Sequence, residues 1–390
     1  KENEIMRIRI EARELKTLLE KVLPQMPKKS QFTTLECVKL EAKGGTLSAT
    51  TTDLESYLTV MTNKYDNMAD GSVLIHKDDI KLINKLSGEL EINLLSEREI
   101  IVKAEKKSIT AQSYDLDNFP VMSEPTEVVP LFTIQESQFT TAINKLINFV
   151  SDNENNKIMN CYNINMKNNR IEALDGHRIG IIDITPEQCK DSKTILLHSK
   201  INNDLKKVLD SKSTEYLRFA ECNDTNKYYS IIGNGFIYKQ RQFVGEYYKV
   251  DQMLTIDYEF EMVVNNKELL DIAKFNSNMV DKDSRKPMIF HYNNTEKEHT
   301  IYMDNGKNKT IDRLEVLESK MMNDNFIIGF NPKFIYEALK CIDDEKVIIT
   351  GNTPKTPILM SGENERYLIL PVNLFPEQIE QVEQIIRDAA

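Results

Sequence analysis

At 390 residues, with 40% hydrophobic and 28% charged residues, the chain is too long for one ordinary core and has the composition of a globular protein of two or three domains. A net charge of −11, from 50 basic and 61 acidic residues, argues against a uniformly basic nucleic-acid binder, although an acidic exterior can surround a basic surface. No apolar run approaches the roughly 18 residues of a membrane span, and KENEIMRIRI at the start lacks the apolar core of a signal peptide. Cys37, Cys161, Cys189, Cys222 and Cys341 are scattered, with no CxxC pair. They predict reduced thiols in a cytoplasm, with neither a disulfide framework nor a zinc site.

Along the chain, an alternating strand running into an amphipathic helix opens at IRIEARELKTLLEKVL (8–23), and a second such start follows at SVLIHKDDIKLINKLSG (72–88). The same pair recurs at FTIQESQFTTAINKLINFV (132–150) and TILLHSKINNDLKKVLDS (194–211). It recurs again at FEMVVNNKELLDIAKFNSNM (260–279) and FIIGFNPKFIYEALKCID (326–343). In each, period-2 spacing of apolar residues gives way to period 3.6. Leu15, Phe139 and Leu269 lie roughly 125 to 130 residues apart, and the second start follows the first by roughly 64 residues in each unit, the mark of an internal repeat. Between the helices, runs such as VKLEAKGGTLSATTTD (38–53) and HYNNTEKEHTIYMDN (291–305) read as antiparallel hairpins. The expected fold is α+β, with three repeated domains over 6–128, 129–256 and 257–374, each of two helices against antiparallel sheets. The joins fall at PVMSEPTEVVP (120–130) and DQMLTIDYE (251–259). The tail LFPEQIEQVEQIIRDAA (374–390) reads as an amphipathic helix starting at Pro376, with Ile379, Val382, Ile385 and Ile386 on its apolar face, so 375–390 is a C-terminal extension.

The second helix of each unit carries lysines. Lys77, Lys81 and Lys85 fall at i, i+4 and i+8, opposite Ile80, Ile83 and Leu86; Lys200, Lys206 and Lys207 flank Ile201, Leu205, Val208 and Leu209. Lys333 and Lys340 are diluted by Glu337. Such stripes attract phosphate without reading bases, and they also suit a plain solvated face.

The segment LDGHRIG (174–180) invites an active-site reading of Asp175, His177 and Arg178. A hydrolase or transferase using Asp175, His177 and Cys161 is one alternative. No nucleophile elbow or phosphate-binding loop accompanies them, and His76, His198, His291 and His299 show no metal-ligand spacing. The structural alternative is an Asp175-Gly176 turn at a strand start, with His177 bonded locally. No catalytic residue, metal or cofactor is expected.

Six segments then point one way: TTDLESYL (51–58), DLDNFP (115–120), LDGHRIG (174–180), EYYKV (246–250), IIGFNPKFIYEALK (327–340) and YLILPV (367–372). In their order and spacing the chain resembles the bacterial DNA polymerase III beta subunit, or sliding clamp, over residues 6–374. The resemblance implies three DNA-clamp domains closing as a head-to-tail homodimer into a ring around double-stranded DNA, independent of sequence, with helices lining the hole. It implies a non-catalytic processivity factor for the replicative DNA polymerase, opened by a separate ATP-driven loader; polymerase activity belongs to the holoenzyme. DNA-facing positions would be Lys29, Lys77 and Lys200, joined by Lys81, Lys85, Lys206 and Lys207, with Arg13, Lys16, Lys21 and Lys145 as weaker candidates. Ring closure would involve KKSITAQSY (106–114), with Ile109 and Ala111, and the region of Phe275–Met279. DNA polymerase, clamp loader and repair proteins would dock short peptides in a groove between domains 2 and 3. Its lining would be Leu174, Gly176, His177, Arg178, Ile179, Lys249, Val250, Leu368, Leu370, Pro371 and Val372. A clamp-fold interaction scaffold that does not close a ring is the remaining alternative.

The chain departs from the family pattern in several places. Val244-Gly245 stands where the family has Phe-Pro, Leu174 where it has threonine, and Asn373 where it has arginine. Family chains stop soon after the end strand, whereas this one continues. The extension is therefore expected to pack against or partly cover the peptide groove.

Overall fold

Antiparallel pairing organises the chain. The structure is a computed structural model; it describes residues 6–96, 98–120, 127–189, 193–223, 227–254, 258–280, 286–293, 298–321 and 325–389. Parts of both expected joins, 121–126 and 255–257, lie outside the described residues, as does the Ile386 side chain. The helices are α1 (Ala12–Val22), α2 (Lys77–Ile83), α3 (Glu136–Leu146), α4 (Ile201–Asp204), α5 (Val250–Leu254), α6 (Asn266–Ser277), α7 (Pro332–Leu339) and α8 (Pro376–Ala389). No helix among the described residues is long and apolar enough to cross a membrane.

Each patterned strand–helix start is present. In the first, Ile8 and Ile10 alternate inward, and then Leu15, Leu18, Leu19 and Val22 bury one stripe of α1. The Asn265 side chain caps α6 by accepting from the Glu268 amide at 3.1 Å. Asn331 caps α7 ahead of Pro332, accepting from the Lys333 amide at 3.0 Å. Two helices are shorter than their patterns predict. α2 closes on Asn84, so Lys85 lies in the turn beyond it. α4 is a single turn, because the Asp204 side chain is folded inward and the backbone tightens into turns after it.

By its internal contacts the chain forms two units. The first takes the described parts of Lys1–Asn144, Thr185–Lys193 and Leu197–Val244. It holds a five-stranded sheet in the order Asp66–Ala69, Arg7–Glu11, Glu89–Ser96, Glu99–Lys103, Ser108–Gln112. Its second sheet has eight strands, from Glu127–Gln135 through Phe236–Arg241 and Ser56–Thr62 to Gly71–His76. That sheet uses strands from both sides of residue 128, for Phe236 pairs with Val60 and Lys239 with Tyr57. Edge strands that would otherwise expose unpaired backbone groups complete each other's ladders.

The second unit takes Lys145–Ile184, Thr194–Leu196 and the described parts of Gly245–Ala390. Its larger sheet runs from Thr194–His198 through Cys161–Asn165, Arg170–Leu174, Arg178–Asp183, Glu365–Ile369, Ile358–Ser361, Lys346–Gly351 and Phe260–Asn265 to Val316–Met321. A four-stranded sheet follows the order Lys309–Leu314, Glu298–Asp304, Met288–Asn293, Asn325–Phe330.

α8 is the helix expected from the tail, but its seat differs from expectation. Val382, with Ile379, Ile385 and Leu374, packs on Ile289, Tyr302 and Ile327 of the four-stranded sheet. Leu374 fills the space over Gly329, where a Cβ would stand 2.7 Å from its Cδ2. The sheet's apolar face, not the groove residues, supplies the partners that bury this stripe.

Candidate functional site

The Asp175–His177 connection is built as the sequence suggests. Gly176 sits at φ +90°, a conformation side chains other than glycine rarely adopt. Asp175 Oδ1 accepts from the amides of His177 at 2.9 Å and Arg178 at 3.0 Å, while Oδ2 accepts from Arg178 Nε at 2.9 Å. The Asp175 carboxylate is thus spent on the turn and on Arg178, and does not orient the His177 ring. That ring is exposed and stacks on Phe334 at 6.0 Å between centroids. Cys161 is fully buried, its thiol pushed up to about 12 by burial and donating to the Lys157 carbonyl at 3.3 Å. Asp175, His177 and Cys161 therefore do not assemble a nucleophile, a base and its orienting acid. Among the described residues no group of three or more His, Cys, Asp or Glu side chains is arranged to hold a metal.

Arg178 is 6% exposed and turned into the fold. It donates to Glu337 at 2.5 Å and to the Asn148 carbonyl, with its guanidinium 4.3 Å from the Phe334 ring centroid and 4.9 Å from that of Phe149. Its planar fork joins the hairpin turn to α7 and to the segment after α3. It fixes the turn's position, each of its three nitrogens donating to a partner inside the fold.

An apolar row lies beside this turn. Strand registers set Leu174 opposite Ile179, Ile179 opposite Leu368, and Leu368 opposite Leu359, so four side chains line up across four strands. Ile181 lies two residues along on the same face. Val250 of α5 is buried against this row, with Met159, Tyr247, Tyr248 and Leu254 partly buried around it. α5 is held by Asp251, which accepts from Arg170 Nη2 at 2.7 Å and from Asn168 Nδ2 at 3.1 Å. Arg170 in turn pairs with the buried Glu172 at 2.5 Å. Of the remaining expected lining, Lys249 and Leu370 are exposed, and Pro371 and Val372 are half-buried. The Leu370 amide donates to the His177 carbonyl at 2.9 Å, and the Val372 amide to the Gly329 carbonyl at 2.8 Å.

Sequence reasoning thus named four of the apolar residues that come together here, Leu174, Ile179, Val250 and Leu368, and it missed Met159, Tyr247, Tyr248, Leu254, Leu359 and Ile181. Tyr247 and Tyr248 stood inside the quoted EYYKV, and Leu254 lies one helical turn from Val250. The others become visible only through strand register.

The basic residues are less free than a stripe implies. Lys77 pairs with Glu36 at 2.6 Å and donates to the Lys28 carbonyl. Lys81 pairs with Asp78 at 2.7 Å, Lys200 with Asp53, and Lys207 with Glu20 at 3.7 Å. Lys206 meets Asn203 Oδ1 at 3.1 Å. Lys29 and Lys85 are exposed, and neither has an ion-pair partner among the described residues. Of the weaker candidates, Arg13 is exposed, Lys16 faces Glu20 at 4.0 Å and Lys21 is half-buried. Lys145 is committed to Asp343 and Glu365. For the interface candidates, Ile109 is half-buried and Ala111 buried on Ser108–Gln112, the last strand of its sheet, and Phe275 is 60% exposed on α6.

Residues 6–123 match the family model for the DNA polymerase III beta subunit, N-terminal domain. That match covers the first third of the chain, and the likeness to beta sliding clamps extends over most of the rest. The beta sliding clamp of Staphylococcus epidermidis is 21% identical over 369 residues, covering 87% of this chain and 91% of that protein. The DNA polymerase sliding clamp from Bacillus subtilis superposes with a TM-score of 0.87 at 18% identity, covering 95% of this chain and all of that one. The beta subunit from DNA polymerase of Streptococcus pyogenes superposes at 0.85 and 18% identity, over 94% of this chain and all of that one.

Proposed function

We propose that the chain is a DNA sliding clamp. In this reading three domains, 6–128, 129–256 and 257–374, close head to tail with a second copy into a ring around duplex DNA. The ring tethers a replicative polymerase to its template in the cytoplasm and performs no chemistry of its own. Partner proteins dock short peptides on the apolar row Leu174–Ile179–Leu368, where Val250 offers an anchor pocket and His177 and Lys249 offer polar contacts at the rim. Arg178 serves that groove indirectly, by fixing the turn that carries His177.

The observation that carries the reading is likeness along nearly the whole chain to proteins called beta sliding clamps. The apolar row with its polar rim is consistent with a peptide site, which needs a desolvated anchor pocket and a few fixed polar groups. The experiment is retention of the full chain, loaded with a clamp loader, on circular against linearised duplex DNA. A linked ring stays on the circle at high salt and slides from the linear form. An ordinary DNA binder leaves both as salt rises, and that outcome refutes the ring.

One observation favours a second reading, a clamp-fold scaffold without ring closure. Lys77, Lys81, Lys200 and Lys207 all have acidic partners within the chain. Small-angle scattering separates the two, since the scaffold is a particle of the 45.1 kDa chain mass and the ring has twice that.

A further inference from the structure

The loop after α1 combines charge, exposure and rigidity around Phe32, a residue to which the clamp reading gives no role. Residues 21–35, KVLPQMPKKSQFTTL, hold three lysines and no acid in a chain of net charge −11. The nearest acid downstream, Glu36, is already engaged: Lys77 pairs with it at 2.6 Å, and that bond holds its carboxyl below the usual carboxylate range. Lys28 and Lys29 are exposed and have no ion-pair partner among the described residues. Phe32 stands beside them, 63% exposed.

An exposed phenylalanine on a floppy loop would mean little. This loop is pinned at its base and at its tip. Gln25 is buried and donates to the Ser56 carbonyl and to Ser56 Oγ, both at 3.0 Å, while Asn203 Nδ2 donates to the Pro24 carbonyl at 2.7 Å. Toward the tip, Lys77 Nζ donates to the Lys28 carbonyl at 2.6 Å, and the Ser30 amide donates to Glu36 Oε1 at 2.7 Å. The Phe32 amide donates to Ser30 Oγ at 3.1 Å, and the Phe32 carbonyl accepts from the Leu35 amide at 3.1 Å. The backbone beneath the ring is therefore fixed, while the ring and the two ammonium groups face solvent. A fixed aromatic face beside uncompensated positive charge suits single-stranded DNA, whose bases offer π-faces and whose phosphates seek cations. A duplex hides its base faces in the stack and uses only the lysines.

We propose that Phe32, flanked by Lys28 and Lys29, is a stacking contact for an unpaired base of single-stranded DNA adjoining the encircled duplex. The site rests on the clamp reading for its location beside duplex, but stacking can be measured alone. The chain contains no tryptophan, so Phe32→Trp in the full chain installs a sole reporter at the site. Its fluorescence is quenched on adding oligo(dT) and unchanged by blunt duplex of equal length. Phe32→Ala weakens binding of labelled oligo(dT) on the order of tenfold and leaves duplex binding unchanged, while Phe32→Tyr retains affinity. A tryptophan that does not respond, or equal losses for single strand and duplex in Phe32→Ala, overturns the proposal; a Phe32 serving a protein partner gives that result. Retention on circular duplex, measured in parallel for wild type and Phe32→Ala, keeps the two readings apart. Wild type lost from the circle refutes the clamp, whereas an unresponsive tryptophan with retention intact refutes only the stacking contact.

Discussion

Asp204 is an acid folded into an apolar interior. It is 4% exposed, accepts from Tyr238 Oη at 2.9 Å and from Ser56 Oγ at 3.3 Å, and burial pushes its carboxyl up to about 6. A carboxyl raised in the folded state favours folding only while protonated. Its contribution is complete below the unfolded value of 3.8 and is lost as pH rises through about 6. A carboxyl displaced that far from its unfolded value is worth about 3 kcal/mol across this window. Asp204→Asn keeps an acceptor for Tyr238 but cannot ionise. The unfolding free energy of the variant minus that of wild type should therefore rise by about 2–3 kcal/mol between pH 4 and pH 7.5 in urea titrations. A difference that stays flat with pH removes the assignment. The burial of Asp204 could not be read from sequence, because nothing local announces Tyr238 or Ser56. Arg178 was opaque for the same reason, its partner Glu337 lying in a distant helix. The Asp175-Gly176 turn was legible, since its cause is glycine's own backbone freedom.

At the scale of elements, period was a reliable guide and length was not. The α1 stripe Leu15, Leu18, Leu19, Val22 is buried as its spacing requires. α2 and α4 end early because helix length depends on caps and tertiary partners that period does not encode. α8 had a legible apolar face, but its seat could not be read. Which surface receives Val382 depends on Ile289, Tyr302 and Ile327 coming together from three strands. That seat carries a prediction. Removing residues 376–390 uncovers an apolar sheet face that Val382, Ile379 and Ile385 now shield. At about 1.5–3 kcal/mol for a fully buried aliphatic side chain, and less for the two partly buried ones, the loss should be about 3–5 kcal/mol. The urea midpoint should fall and binding of an apolar dye such as ANS should rise. A truncated chain with the same midpoint and no added dye binding would show that the helix contributes nothing there.

For the whole molecule, repeats in the sequence and continuity in the structure divide the chain differently. The repeats are spaced by strand–helix starts, whereas ladders such as Phe236–Val60 and Arg178–Ile369 run through the repeat boundaries. Backbone hydrogen bonding is indifferent to sequence identity, so the spacing of the strand–helix starts carries no sign of these ladders. Charge follows a similar logic. Several lysines that would face DNA are balanced by acids within the chain, and screened pairs of this kind hold phosphate weakly. On the clamp reading proposed above, retention would depend on topology more than on attraction, and so on the strength of ring closure. The edge strand Ser108–Gln112 ends its sheet with Ile109 half-buried, and Phe275 is exposed on α6. If those surfaces meet in the ring, a charge on either one desolvates without a partner on association, at a cost of several kcal/mol. Ile109→Asp and Phe275→Glu, made separately, should each shift sedimentation from twice the 45.1 kDa chain mass toward that mass alone at micromolar concentration. Each should also abolish high-salt retention on circular DNA while leaving the unfolding free energy within about 1 kcal/mol of wild type. Variants that remain dimeric and retained would move the closing contact away from Ile109 and Phe275.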